Sequence, residues 1–388
     1  MKLKRLGALA AALVFALSAL CGCGGQSGGG ASSSAGGSSQ TPAMDLSQIT
    51  DPYLAVSGLA ADEVVITVGS VEITAAHYLY WLNRAISSYL SQSGAAAPAP
   101  DWDTETEEGL TIGRHMLDQA EELAVFHGML RQTAQAEGIS PDPSIASDTN
   151  DRYVNLILQS GGDESLVTHV FWASMLTKEL SVELNADSGL FSQLRELYYG
   201  EDSGHYPTDA EVNAYLDENG YFRVKHILLK TTDQAGKPLD ESSVSLQKTI
   251  ADSLLSELRA SEDPITLFDQ LMNKHSEDGG LSGAPDGYIF DAGSSLVGGF
   301  REAALALTVG EISDVVETDV GYHIMLRLPI DPAGYRDEYA SSLLNSRINA
   351  ERDRLGVTRT AAFSKLDVAS FWNNMLSLQT AVQAERAG

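Results

Sequence analysis

The sequence predicts an α+β protein in which a small domain of strands and surrounding helices is inserted in, or follows, a mostly helical domain. Two short apolar runs, at 221–230 and 320–329, each carry one histidine and enclose about the length of one small domain. Apolar residues recur at helical spacing over most of 75–200, and this spacing returns over 333–388. The C-terminal stretch is too short for a core of its own, so we expect it to pack back on the earlier helices.

The composition is that of a globular protein with a strongly acidic surface. With 388 residues the chain has room for two or three domains, and its hydrophobic (43%) and charged (20%) fractions are ordinary. The net charge of −28 argues against nucleic-acid binding, because a phosphate backbone requires clustered Lys and Arg. We therefore expect no nucleic-acid partner.

The N-terminus has the pattern of an export signal. A basic start, KLKR, precedes an apolar run over 6–20 that is too short to span a bilayer. The run ends in LCGC, which resembles a bacterial lipoprotein signal with a cysteine to be acylated. We predict lipidation of Cys23, because acylation of Cys21 would put the bulky Leu20 where the peptidase requires a small residue. The predicted lipoprotein signal peptide is therefore 1–22, and an ordinary cleaved signal with incidental cysteines is the alternative.

Residues 23–60 are predicted to form a flexible tether. Gly, Ser and Ala dominate 24–43, and such a composition buries too little apolar surface to fold. Twenty such residues span roughly 25 Å, which is enough to lift a domain clear of a lipid surface. Since the chain is strongly acidic, acyl chains rather than charge would hold it at an anionic membrane. The expected location is therefore extracytoplasmic, anchored by lipid to the outer face of the cell membrane.

The sequence offers little material for metal or thiol chemistry. Both cysteines lie in the signal region, so no disulfide, zinc–cysteine site or thiol nucleophile is available after residue 23. The eight histidines are dispersed without the spacing of a ligand motif. The sequence also lacks a serine-hydrolase elbow and a phosphate loop. We therefore expect neither a metal nor another cofactor.

Residues 61–218 are predicted to form a helical region that opens with a hairpin. VVITVGSVEIT indicates two short strands around a Gly-Ser turn. A long helix then ends at Gly138, further helical stretches follow, and Thr208 begins a capping box. The order of these elements resembles the N-terminal chaperone-like region of extracytoplasmic foldases of the PrsA and SurA type. Residues 331–388 are predicted to be C-terminal helices that pack back on this region.

Four motifs within 219–330 occur in an order that is typical of one enzyme family. VKHILL, SEDGG, GGFREAALAL and VGEISDVVETDVGYHI follow one another over this stretch. In this order they resemble the parvulin-type peptidyl-prolyl cis/trans isomerases and cover nearly the whole of that domain. The resemblance implies a small antiparallel sheet and, as the activity, rotation about Xaa-Pro peptide bonds.

Prolyl isomerisation requires neither a nucleophile nor a metal. Resonance between the nitrogen and the carbonyl sets a barrier of ~18–20 kcal/mol, and uncatalysed exchange is therefore slow. An enzyme can lower this barrier by holding the proline ring in an apolar pocket, desolvating the amide and stabilising the twisted form. The chemistry therefore needs an apolar wall and a few well-aimed polar groups.

Four polar residues are the catalytic candidates that the parvulin resemblance implies. His226 and His323 would be paired on the two central adjacent strands, with their rings close together beneath the substrate. Asp278, in SEDGG, would lie near the substrate carbonyl, and Thr318 would tie the histidines into a hydrogen-bonded network. Each also has a structural interpretation, because a histidine in an apolar strand is more often a core residue and an Asp beside glycines often caps a turn.

The resemblance also implies a substrate-binding wall. Leu296 and Phe300, four residues apart, match the apolar residues that receive the proline ring, although each alone would be ordinary core. Two positions depart from the family pattern: Asp286 stands where an apolar residue is usual, and Val320 replaces a frequent small polar residue. The acidic loop 231–243 differs from the basic loop of phosphate-directed parvulins, which argues against a preference for phosphoserine-proline.

The leading hypothesis is a membrane-anchored foldase that isomerises Xaa-Pro bonds in secreted proteins and binds them while they are unfolded or partly folded. The departures at Asp286 and Val320 favour an alternative, a holdase chaperone whose parvulin fold has lost catalysis. A solute-binding lipoprotein would need alternating strands and helices, which the helix-rich stretch 75–200 does not supply. Related foldases can dimerise, so a homodimer is among the assemblies that the resemblance allows.

Overall fold

The computed structural model describes residues 43–92, 99–107 and 109–387. The chain divides into two compact units. The split unit consists of the residues up to Tyr206 and from Ser341 onward, and the middle unit is Pro207–Ala340. Both units combine helices with a small antiparallel sheet, so the predicted α+β class is confirmed. The predicted signal peptide and its lipidation residue, Cys23, lie outside the described residues.

Helices make up most of the regular structure. In chain order they are α1 (Pro52–Ser57), α2 (Ala75–Gln92), α3 (Ile112–Ala136), α4 (Ser144–Gln159), α5 (Glu164–Trp172), α6 (Lys178–Tyr199), α7 (Asp209–Glu218), α8 (Glu241–Ala260), α9 (Pro264–His275), α10 (Phe300–Ala306), α11 (Arg336–Leu355) and α12 (Val368–Ala387). The strands are β1 (Val64–Val68), β2 (Val71–Thr74), β3 (Phe222–Lys230), β4 (Tyr288–Phe290), β5 (Val316–Thr318), β6 (Gly321–Leu328) and β7 (Val357–Arg359). Within the described ranges, none of the helices is long and apolar enough to cross a membrane.

The hairpin at the start of the split unit is joined by a strand from the far end of the chain. β1 and β2 pair antiparallel, with Val68 opposite Val71 across a turn in which Gly69 has a φ of +58°. β7 adds to the other edge of β1, with Thr358 opposite Thr67. The sheet order is therefore β2-β1-β7, and the C-terminal segment completes a sheet that begins near residue 64.

The core of the split unit brings this sheet together with α2, α3 and α12. α3 passes so close to β2 that an added Cβ at Gly128 would overlap Cδ1 of Ile73. After α3, Gly138 has a φ of +73°, a conformation that favours glycine. α12 packs against α1, α3 and α5 and buries Phe371 and Met375. The C-terminal helix and the N-terminal helices therefore share one core.

The middle unit is built on an antiparallel sheet of order β4-β3-β6-β5. Its central strands, β3 and β6, pair with His226 opposite Met325 and Leu228 opposite His323. Successive side chains of a strand point to opposite faces of the sheet. The strand residues that pack with α8 and α9 on one face are Ile227, Leu229, Tyr322, Ile324 and Leu326. The two histidines therefore lie on the other face, which α10 also contacts.

Candidate functional site

The two histidines meet because of the register of the central strands. His226 and His323 occupy diagonal positions on one face of β3 and β6, and side chains so placed are within reach of each other. Their rings are nearly parallel, with centroids 5.4 Å apart, and their Nδ1 atoms are 3.2 Å apart. Both side chains are buried. The pair is thus a direct consequence of the strand pairing.

Thr318 lies at one end of the histidine pair. It is the last residue of β5, and a two-residue turn leads directly from it into β6. Its hydroxyl oxygen lies 2.9 Å from Nε2 of His323 and 3.1 Å from the carbonyl oxygen of Gly321. The amide of Val320 donates to the same hydroxyl at 3.3 Å. The tight hairpin therefore fixes this hydroxyl against the imidazole.

Asp278 lies at the other end of the pair. The chain that follows α9 runs along β3, where the Leu228 amide donates to Oγ of Ser276 at 3.1 Å. The Glu277 amide donates in turn to the carbonyl oxygen of Leu228 at 2.8 Å. These bonds leave Oδ2 of Asp278 3.4 Å from Nε2 of His226. In the part of the chain that the structure describes, no Lys or Arg forms an ion pair with this carboxylate.

A tyrosine that the sequence motifs did not single out also contacts Asp278. The Tyr288 hydroxyl donates to Oδ2 of Asp278, and the Gly280 amide donates to Oδ1 at 3.2 Å. Tyr288 belongs to β4, where it pairs with Val224, and its ring lies edge-on to that of His226. The pairing of the three-residue strand β4 with β3 brings Tyr288 next to Asp278. The sequence signal was only that a tyrosine follows the turn in PDGYIF.

Phe300 forms an apolar wall beside the histidines. Gly299 has a φ of +79°, which favours glycine, and α10 begins at the next residue. The Phe300 ring is buried and meets the rings of His226 and His323 edge to face, with centroids 5.3 and 5.2 Å away. Leu296 is half-buried and packs on the same apolar cluster as Phe300. The structure thus gathers all six site candidates on one face of the middle unit, while their roles stay predictions.

Burial and hydrogen bonding together set the protonation states of the polar groups. It lowers the pKa of His226 against the opposing effect of Asp278, and together with the charge of His226 it lowers the pKa of His323 to about 4. Burial acts to raise the pKa of Asp278, but hydrogen bonds from Tyr288 and Gly280 and the nearby His226 hold that pKa below its usual value. Near neutral pH both histidines are therefore neutral and Asp278 is ionised.

These charge states determine the direction of each hydrogen bond. An ionised carboxylate only accepts, so the proton of neutral His226 lies on Nε2, the atom that faces Asp278. Nδ1 of His226 then accepts from Nδ1–H of His323, and the unprotonated Nε2 of His323 shares the single hydroxyl proton of Thr318 with the carbonyl oxygen of Gly321. The result is a one-directional chain of hydrogen bonds that ends on a carboxylate without a cationic partner.

The two departures from the family pattern lie in turns. Asp286 is exposed just before β4, and its carbonyl oxygen accepts from Nη2 of Arg223 at 2.7 Å. The following Gly287 has a φ of +99°, and an added Cβ would lie 2.9 Å from the carbonyl oxygen of Val224. Val320 is half-buried in the turn between β5 and β6. Both departures leave the hydrogen-bonded chain intact.

Comparison with known proteins places the middle unit in a family. The family model for the PPIC-type PPIase domain matches residues 226–328. The chain is 34% identical over 111 residues to the peptidyl-prolyl cis-trans isomerase Pin1 of Malus domestica, which covers 27% of this chain and 91% of that protein. It is 35% identical over 120 residues to the foldase protein PrsA of Geobacillus kaustophilus. That match covers 30% of this chain and only 35% of the PrsA chain.

Among solved structures, PrsA from Bacillus subtilis is similar, with a TM-score of 0.23 and 18% identity over 66% of this chain and 90% of that chain. The family assignment follows from the sequence matches. The identity to the Malus domestica isomerase extends over nearly all of that protein, and the family model runs from within β3 to the end of β6. The predicted resemblance and the predicted enzyme class are thus confirmed, and the chain belongs to the parvulin, or PPIC-type, family of peptidyl-prolyl cis/trans isomerases.

Proposed function

We propose that the protein is a membrane-anchored foldase that isomerises Xaa-Pro bonds in secreted proteins outside the cytoplasm. The observation that carries the proposal is the chain of hydrogen bonds from Thr318 to the ionised Asp278, with Phe300 beside it. Family membership supports the reaction. The export signal, the tether and the similarity to PrsA support the location.

The charge of Asp278 favours a twisted amide over a planar one. In the planar amide, resonance puts partial negative charge on the carbonyl oxygen, and twisting about the C–N bond removes it. A carboxylate near that oxygen therefore repels the planar form more strongly than the twisted form. Because only interactions that differ between the two forms accelerate the reaction, this repulsion lowers the barrier. A Lys or Arg bound to Asp278 would cancel the effect.

The apolar wall supplies the second part of the mechanism. Phe300 and Leu296 would receive the proline ring and exclude water from the adjoining amide. Water stabilises the planar amide through hydrogen bonds to its charged carbonyl oxygen, so its removal favours twisting. The neutral histidines contribute by orienting Asp278, since His226 directs Nε2–H at the carboxylate.

An isomerase assay on a panel of Xaa-Pro tetrapeptides tests the reaction with the soluble chain 24–388. We expect a rate above buffer that falls about tenfold or more in Asp278→Ala and in Phe300→Ala, which is at least ~1.4 kcal/mol of barrier. Asp269→Ala is the matched control, because Asp269 lies on α9 and pairs with Lys225 on the other side of the sheet. A folded wild-type chain with the rate of buffer would overturn the proposed catalysis.

We further propose that the split unit binds unfolded or partly folded clients. The resemblance of 61–218 to the chaperone-like region of PrsA and SurA supports this activity. Suppression of aggregation of a chemically denatured protein by the chain 24–388 is the test. We expect protection that persists in Asp278→Ala, because Asp278 belongs to the middle unit. Absence of protection at a molar excess of the chain would contradict client binding.

The second candidate function is a holdase without isomerase activity. The exposed Asp286, at a position where the family usually has an apolar residue, favours it. The two assays separate the candidates, because a holdase protects clients from aggregation and shows no rate on any tetrapeptide. The foldase proposal requires both activities in the same preparation.

The lipid anchor is tested at the two N-terminal cysteines. We expect Cys23→Ala to abolish fatty-acid attachment and to release the protein from the membrane fraction, while Cys21→Ala remains acylated. Attachment that is lost only in Cys21→Ala would contradict the choice of cysteine. The proposal also includes a homodimer, which sedimentation velocity of the chain 24–388 would detect as a species of twice the monomer mass.

A further inference from the structure

We propose that Tyr288 is a positioning residue of the isomerase site, whose hydroxyl holds the Asp278 carboxylate against His226. The inference rests on the proposed isomerase function and adds a residue outside the four sequence motifs. The Tyr288 hydroxyl donates to Oδ2 of Asp278, which is the oxygen that Nε2 of His226 faces at 3.4 Å. Tyrosine and histidine thus approach the same carboxylate oxygen.

Three neutral donors from three parts of the middle unit surround this carboxylate. Tyr288 comes from β4, His226 from β3, and the amide of Gly280 from the loop after α9. Both carboxylate oxygens therefore have a donor, and rotation of the group would break a charge-assisted hydrogen bond. Asp278 is held in one orientation although no cation binds it within the described residues.

The second glycine of SEDGG is explained by the tyrosine. Gly280 has a φ of −85° and a ψ of −11°, which residues with a side chain readily adopt. The backbone itself therefore does not require glycine. An added Cβ would, however, lie 2.5 Å from the Tyr288 hydroxyl oxygen. Glycine at this position leaves the space in which the hydroxyl reaches Asp278.

Loss of the tyrosine hydroxyl would alter the whole hydrogen-bonded chain. The titratable groups that face Asp278 are His226 on β3 and Tyr288 on β4, and His323 on β6 lies one bond further along. Without the hydroxyl, one hydrogen bond that lowers the pKa of Asp278 is lost while the effect of burial, which raises it, remains. The pKa of Asp278 therefore rises. A protonated Asp278 no longer repels the substrate carbonyl and no longer holds the proton of His226 on Nε2. The active form would then be lost at a higher pH than in the wild type.

The test combines NMR with the dependence of the isomerase rate on pH, in the chain 24–388. Titration of the Asp278 carboxyl carbon is compared in the wild type, Tyr288→Phe and Gly280→Ala. Gly280→Ala keeps the Tyr288 hydroxyl but displaces it from Asp278, because the added Cβ would occupy its space. Tyr221→Phe is the matched control, because its hydroxyl also donates to a carboxylate of the middle unit, that of Glu338, at 2.8 Å.

In both site variants we expect the pKa of Asp278 to rise by about one unit, as for the loss of one hydrogen bond to a charged group. The acid limb of the rate profile, to which the histidines also contribute, should move upward as well, and the control should match the wild type. An unchanged pKa in Tyr288→Phe would overturn the inference, as would a lower rate with an unmoved acid limb. If the wild type has no isomerase rate, the proposed function fails, and the NMR titration still decides the role of Tyr288.

Discussion

The split unit and the middle unit each place an aspartate beside a histidine, but the two sites differ in what balances the charge. In the split unit, Asp187 on α6 has a fully buried side chain and lies 2.7 Å from Nδ1 of His127. Nε and Nη2 of Arg131 donate to its two oxygens at 2.7 and 2.8 Å. In the middle unit, the side chain of Asp278 is 20% exposed and faces a neutral histidine.

We infer from this comparison that the balancing group separates an aspartate that ties two helices together from one whose charge can act on a substrate. A guanidinium cancels the charge of Asp187, so this carboxylate exerts little field beyond its own ion pair and serves to join α3 to α6. Neutral donors hold Asp278 in place without cancelling its charge, so its field extends to whatever lies on the open face of the sheet. The residue types at the two sites are alike, and we propose that the presence or absence of a cation sets the role of each aspartate.

The largest expected effect is on stability in the split unit. We expect Asp187→Asn to lower the free energy of unfolding by about 1.5–3 kcal/mol, because Arg131 loses its charged hydrogen-bond partner and keeps only Glu183, at 3.4 Å, as a counter-charge. Urea unfolding followed by circular dichroism measures this loss. An unfolding midpoint equal to that of the wild type would show that the ion pair is not a stabilising tie.

The second expected effect is a loss of stability of the middle unit at acidic pH. Unfolded His323 binds a proton below its usual pKa of 6.5, whereas in the folded state it stays neutral down to about 4. Between these values the unfolded state binds more protons, so the free energy of unfolding of the middle unit should fall as the pH drops from 6.5 towards 4. Hydrogen exchange of the β6 amides, followed as a function of pH, measures this free energy. In His323→Gln this part of the dependence should disappear, and an unaltered pH profile in that variant would contradict the assignment.

The smallest expected effect is at the far end of the hydrogen-bonded chain. Thr318→Val keeps the size of the side chain and removes the donor to Nε2 of His323. We expect the free energy of unfolding to fall by about 1 kcal/mol, as for the loss of one hydrogen bond. Thr249→Val, at an exposed position of α8, is the matched control. Equal unfolding curves for the two variants would mean that the hydroxyl does not support the histidine.

The sequence predicted those parts of the site that lie within strongly patterned segments. His226 and His323 each stand in an apolar run, and the family resemblance supplied their pairing and the positions of Asp278 and Phe300. Tyr288 was missed because β4 has three residues, too few for an alternation of buried and exposed side chains to be recognised. Its contact with Asp278 depends on strand pairing, which the local sequence does not encode.

The same limit applies to the split unit. β7 was not predicted because its three residues are all exposed, so no apolar pattern marks it as a strand. The ion pair between Arg131 and Asp187 joins positions 56 residues apart in sequence. In the sequence alone, each of the two residues has the pattern of an ordinary polar position on a helix. Only the packing of α3 against α6 brings them together, and helical spacing alone does not specify such packing.

The most direct test of the account is the isomerase rate of Asp278→Asn at pH 7, with Asp187→Asn as the matched control. Both variants replace a carboxylate by an amide of the same size. We expect Asp278→Asn to lose about tenfold or more in rate with a nearly unchanged free energy of unfolding. Asp187→Asn should retain the wild-type rate per folded molecule and lose stability. Equal rates for Asp278→Asn and the wild type would contradict the claim that an uncancelled carboxylate drives the reaction.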